Sequence, residues 1–146
     1  MRRVTLGCLI LWTIVSAGCG GRSLTATTAL PSSSPAWLSE LACHTATTMH
    51  DPSPSSIVYV QGGHEEAERI ASGDVVYDDA PVYLVVLTGD FVAEHSGPPG
   101  ATTTSGHVAH LTVGRDSHDV LDTGIGERLP DLSPLGTPRT LPTDCG

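Results

Sequence analysis

Seven histidines, sixteen carboxylates and four cysteines are the residues of this 146-residue chain whose types can do chemistry. A metal site needs ligands that converge on one point, so spacing is the first test. His107 and His110 stand three apart in a run that reads as a strand, where side chains alternate between faces, so the two point to opposite sides. His118 lies about 25 Å beyond, at a rise of about 3.3 Å per residue, so a strand there keeps the three from sharing one ion. His64 and Glu68 are one turn apart on an expected helix and could supply half a site. Glu65, Glu66 and Glu68 also suit the positive end of such a helix with no ligand present. His44 and His50 flank Cys43 without ligand spacing. The pairs Asp78/Asp79 and Asp119/Asp122 do not follow the EF-hand loop, which needs oxygen ligands at fixed alternate positions, and read as turn residues.

Nucleophile motifs are absent from the sequence. It holds no Gly-x-Ser-x-Gly, and Ser-x-x-Lys is excluded because the chain has no lysine. His64-Glu65-Glu66-Ala67-Glu68 lacks the second histidine of the zinc-protease helix. A triad dispersed along the chain is recognised only by geometry. Tyr59, Tyr83 and Phe91 could line a ligand, but in a chain with 4% aromatic residues they are expected in the core. No catalytic residue, metal ligand or cofactor is assigned from these patterns.

The elements that must carry these residues begin after a targeting segment. Arg2 and Arg3 precede an apolar run of about a dozen residues, shorter than the roughly 20 that span a bilayer. Ser16, Ala17 and Gly18 then lead into Cys19. A positive start, a short apolar stretch and small residues define a signal peptide, here residues 1–18. Ser16-Ala17-Gly18-Cys19 resembles the lipobox of bacterial lipoproteins, which implies acylation of Cys19 and a membrane anchor outside the cytoplasm. Two acyl chains hold stably where one does not. An ordinary secretory signal cut near Ala17 is the alternative.

Removing residues 1–18 leaves 128 residues with 5 arginines against 16 carboxylates, a net charge of −11. Nucleic acid is excluded as a partner, because phosphate binding needs a basic footprint. Cys8 leaves with the signal and Cys19 takes the lipid, so Cys43 and Cys145 remain as a pair in an oxidising compartment and are expected to form a disulfide. A metal-binding role for that pair with nearby histidine is the alternative.

Residues 19–34, rich in Gly, Ser, Thr, Ala and Pro, read as a flexible tether. The domain is expected over residues 35–146. Ser34 reads as a helix N-cap with Pro35 at the first helical position, and Trp37, Leu41 and Thr45 share a face. Residues 57–60 form a short strand broken by Gly62-Gly63, and residues 64–71 form a second helix closed by Gly73. Residues 81–91 are apolar on both alternating sets, which predicts a central, covered strand. After a loop at 94–106, strands at 107–113 and 119–123 form a hairpin turning at 115–118. From residue 124 onward, four prolines predict an irregular tail that wraps the domain and is pinned by Cys145. The fold class is therefore α+β: a small antiparallel β-sheet with one or two short helices packed on one face.

The strand at residues 81–91, the hairpin turn at Asp116, Val120-Leu121-Asp122-Thr123-Gly124 and residues 129–136 are similar to a group of small secreted or membrane-linked actinobacterial proteins of unknown function. The helix–strand–hairpin layout also resembles PepSY-type or cystatin-like domains, which implies an extracytoplasmic module that binds or restrains other proteins. The resulting expectation is a non-enzymatic cell-envelope lipoprotein, anchored to the membrane through Cys19 and acting as an interaction module for an envelope protein. A zinc- or copper-binding envelope lipoprotein using surface histidines is the alternative.

Overall fold

Valine, leucine and tyrosine fill every position from Val82 to Leu87, and all six side chains are buried. They belong to β2 (Pro81–Ala93), a central strand of the computed structural model, which describes residues 34–93 and 103–145. The other elements are α1 (Ala36–Thr48), β1 (Ser56–Gly63), α2 (His64–Ala71), β3 (Thr104–Gly114), β4 (Val120–Gly126), a 3-10 turn (Ser133–Leu135) and β5 (Arg139–Thr140). The strands form one antiparallel sheet in the order β4-β3-β2-β1-β5. The protein is thus a small α+β fold with a five-stranded antiparallel sheet and two helices.

Alternation along β2 divides the core in two. Tyr83, Val85 and Leu87 pack with Leu38, Ala42 and Ala46 of α1, with Ile57 and Tyr59 of β1, and with Ala109, Leu111 and Val113 of β3. Val82, Leu84 and Val86 pack instead with Ala67 of α2, Val60, Val108 and Leu132. Each face of the sheet therefore receives one helix, where the sequence suggested that the helices share a face. The strand's apolar content on both sides requires this, because each exposed apolar face needs its own cover.

Local boundaries differ from expectation in four places. Pro35, not Ser34, occupies the cap position of α1, with extended backbone and no side-chain cap. The Ser34 hydroxyl instead donates to the Thr140 carbonyl at 3.5 Å. Second, β1 runs through Gly62 and Gly63, which pair with Val82 and Pro81. A Cβ at Gly62 would collide with Leu135, and one at Gly63 with Asp79, so these glycines admit neighbours and do not end the strand. Third, β4 continues to Gly126 and β3 begins at Thr104, inside the expected loop.

The tail is the fourth. Its prolines do not exclude pairing: Pro138 precedes β5 and Pro142 follows it, so neither removes a ladder hydrogen bond. Leu132 and Leu135 cover the α2 face, Arg139 and Thr140 pair with Tyr59 and Val58, and Leu141 enters the α1 face. Cys145 then bonds Cys43 of α1, with the sulfurs 2.06 Å apart.

No helix among the described residues is long and apolar enough to cross a membrane. The expected signal peptide, Cys8, the lipidation site Cys19 and the body of the tether lie outside the described residues, as do His95 and most of the 94–106 loop.

Candidate functional site

The histidines are dispersed over the fold. His107 and His110 lie on alternate positions of β3 and belong to opposite faces, as the strand period requires. His118, in the β3–β4 turn with φ +64°, stacks on Trp37 of α1 at a ring-centroid distance of 3.8 Å. His44 lines a shallow cleft around the disulfide, together with Glu40, Pro142 and Asp144. Among the described residues, no group of three or more His, Cys, Asp or Glu side chains converges to hold a metal ion.

Two other polar clusters have structural explanations. Gly89 and Asp90 sit where β2 carries an extra residue against β3. Asp51 secures that irregularity: its carboxylate accepts the Asp90 N–H at 2.8 Å and the Ser53 N–H at 3.1 Å. His107 meets the Asp90 carboxylate at 2.9 Å on the exposed side. His64 lies between Glu68 at 3.6 Å and Asp78 at 3.5 Å, and joins the first turn of α2 to the loop that follows the helix. Asp78 also accepts the Ala80 N–H, and its carbonyl accepts the Glu65 N–H, so it acts as the turn residue expected. Asp131 accepts the Ser133 hydroxyl and backbone N–H, and these bonds hold its carboxyl below the usual carboxylate range. Tyr59, Tyr83 and Phe91 are buried, with the two tyrosine rings edge-to-face at 5.8 Å.

The α2 face of the sheet holds a third cluster that packing does not explain. On this face β3 presents Val108, His110 and Thr112, and the last two are 8% and 0% exposed. Glu68 of α2 is 2% exposed over the same face. His110 Nε2 and Thr112 Oγ1 are buried without a hydrogen-bond partner, as is Ser39 Oγ of α1, while Glu68 Oε1 faces His64 at 3.6 Å. Unpaired buried polar atoms each cost about 1–3 kcal/mol, so an arrangement that keeps several asks for a reason.

Beside this row lies a cleft of about 430 Å³. α2 packs over β1, β2 and β3. Its C-terminal end, with Ser72 and Asp74, forms one wall of the cleft; Asp122 to Gly126 of β4 form another, and Arg128 and Pro130 close it. His110 pairs across the ladder with Gly124. A Cβ at Gly124 would collide with the imidazole, lying 2.8 Å from Nε2, so only glycine leaves the ring in its place. Asp122 Oδ2 is 3.5 Å from His110 Nε2, beyond the usual 2.7–3.2 Å hydrogen-bond range. Val75 and Leu129, at 66% and 62% exposure, follow the lining residues Asp74 and Arg128 in the chain.

β4 is also an open edge. It pairs with β3 on one side, and among the described residues no strand lies on the other. Sequence reasoning named Asp122 and His110 but did not join them, and it passed over Gly124, Thr112 and Arg128. The missing signal is register: an irregularity between Thr112 and Val113 offsets β3 from β4, so counting outward from the turn does not bring His110 opposite Gly124. Comparison with protein-family models, with curated proteins and with solved structures gives no match for this chain.

Proposed function

We propose that the chain is a non-enzymatic cell-envelope lipoprotein, exported by residues 1–18 and anchored through acyl chains on Cys19, whose α+β domain is a protein-interaction module. The observation that carries this reading is the open edge of β4. Seven residues (Val120–Gly126) offer backbone groups on a side where, among the described residues, no strand pairs, and Val120 and Leu121 are large, apolar and exposed beside them. Soluble domains usually blunt such an edge, and strand addition is the common way to use one. The acidic charge and the lack of a basic footprint favour protein over nucleic acid as the partner.

Two experiments test the two halves of this reading. Metabolic labelling with a fatty acid should mark the wild-type chain and not Cys19→Ala; equal labelling of both would remove the anchor. Affinity capture of the full chain from detergent-solubilised envelope should recover the same protein in independent preparations. Repeated recovery of none would remove the interaction role.

A further inference from the structure

The open edge of β4 and the cleft under α2 meet at Gly124, and the charge around them is one-sided. Building on the interaction reading above, we propose that this place binds an extended segment of a partner protein bearing a lysine or arginine. The segment adds as a strand to β4, and its cationic side chain pairs with Asp122 at the mouth of the cleft.

The mouth of the cleft has the chemistry for a cation. Asp122 Oδ2 and His110 Nε2 are 3.5 Å apart, too far to satisfy each other well, and Nε2 has no hydrogen-bond partner. An ammonium or guanidinium group carries several N–H donors and no acceptor. It can donate to the Asp122 carboxylate, which is 43% exposed and which His110 does not complete. Gly124 lets the His110 ring lie against the strand beside Asp122, since a Cβ there would fall 2.3 Å from the ring. Asp74 adds a second carboxylate on the opposite wall, against one exposed cation, Arg128.

The flanks of the strand point to the same partner. Asp119 and Glu127 stand just outside the two ends of β4. An antiparallel β4–β4 pairing of two copies centred on Thr123 would set Asp119 of one chain opposite Glu127 of the other, and like charges directly opposite are destabilising. A basic segment meets attraction at the same positions. The net charge of −11 once residues 1–18 are removed extends this preference over the molecule and speeds encounter with a basic partner.

The test is a titration of the full chain in detergent micelles with two labelled nonapeptides of alternating Thr and Val. One carries Lys at its centre and Arg near each end; the other carries Glu at the same places. The basic peptide should bind, shifting amide signals of residues 120–126 and the His110 ring, while the acidic peptide should not. Asp122→Asn should weaken binding about tenfold, as expected for losing a hydrogen bond to a charged group. Glu40→Gln on the exposed side of α1 should leave it unchanged. Equal binding of the acidic peptide, an unaltered affinity in Asp122→Asn, or self-association through β4 would overturn the proposal. If neither peptide moves the β4 signals while envelope capture still recovers a partner, the basic-segment inference fails and the interaction role stands. If capture also recovers nothing, both fail.

Discussion

Replacing Cys43 and Cys145 together by serine should cost this domain a large part of its stability. The bridge joins residues 102 apart, and the chain-entropy estimate for a loop of that size is about 4.7 kcal/mol at 25 °C. Typical domains are stable by roughly 5–15 kcal/mol in total, so the loss is a major fraction. What the bridge joins sharpens the expectation. Among the large apolar side chains of α1, only Leu38 is fully buried; Ala42 and Ala46 are small, and Trp37 and Leu41 are partly covered. Burying one leucine contributes about 2 kcal/mol, a thin attachment for a helix of 13 residues. At the other end of the bridge, the tail is held by two-residue β5, by Leu141 and by backbone bonds such as Leu141 N–H to Ile57 C=O at 2.9 Å. The assay is urea unfolding followed by far-ultraviolet circular dichroism and by fluorescence of Trp37, the one tryptophan left once residues 1–18 are removed. With a slope of roughly 1–2 kcal/mol per molar urea, the midpoint should fall by about 2–5 M. The Trp37 signal should change first, because α1 loses its tie before the sheet melts. A midpoint shift under roughly 0.5 M, or coincident transitions at the wild-type midpoint, would refute the reasoning.

Five further substitutions, at four positions, probe the packing by the same urea assay. Gly106→Ala should destabilise by about 1–3 kcal/mol, because its Cβ would lie 2.5 Å from the Gly126 carbonyl oxygen and 2.8 Å from Ile125 Cγ2. Gly126→Ala has open space around it and should be neutral or stabilise by up to about 1 kcal/mol. Thr112→Val removes a fully buried hydroxyl that has no partner and should stabilise by about 1 kcal/mol; a loss would mean the hydroxyl is satisfied by bound water. His118→Ala keeps the left-handed backbone but loses the stack on Trp37, and should cost about 1 kcal/mol. His118→Gly relieves the φ of +64° as well and should come out about 1 kcal/mol more stable than His118→Ala.

The parts of this fold that were legible in the sequence are those fixed by local patterns. Two interleaved apolar sets in residues 82–87 require cover on both faces, and the structure supplies it. Glycine at 63 and 73 brackets α2, and the cysteine pairing followed from which cysteines remain after the signal and anchor are set aside. What was not legible depends on partners far along the chain. Gly62 and Gly63 read as a break because glycine weakens an isolated strand, yet eight ladder positions against β2 carry β1 through them. β5 is two residues between prolines and has no pattern of its own; it exists because β1 offers an edge at Tyr59. The assignment of one helix to each face was equally hidden, since the apolar residues of α1 and α2 fit either face until the chain path is known.

The candidate site was hidden for a different reason: its residues are unremarkable singly, and only their setting is informative. On the α1 face, β3 presents Ala109, Leu111 and Val113, all buried and all apolar. On the α2 face the same strand presents Val108, His110 and Thr112, equally buried but largely polar. Packing alone does not call for that difference, since valine or leucine would fill such positions without an unpaired atom. His110 also lines the cleft beside the edge strand, packed against Gly124. The proposed binding place lies beside these polar side chains, and stability and binding can be separated there. The split is measurable: His110→Leu and Thr112→Val should each raise stability, whereas Asp122→Asn should weaken peptide binding and leave stability nearly unchanged. Loss of stability in His110→Leu would mean that the imidazole serves the core, and an unaltered affinity in Asp122→Asn would remove the binding place.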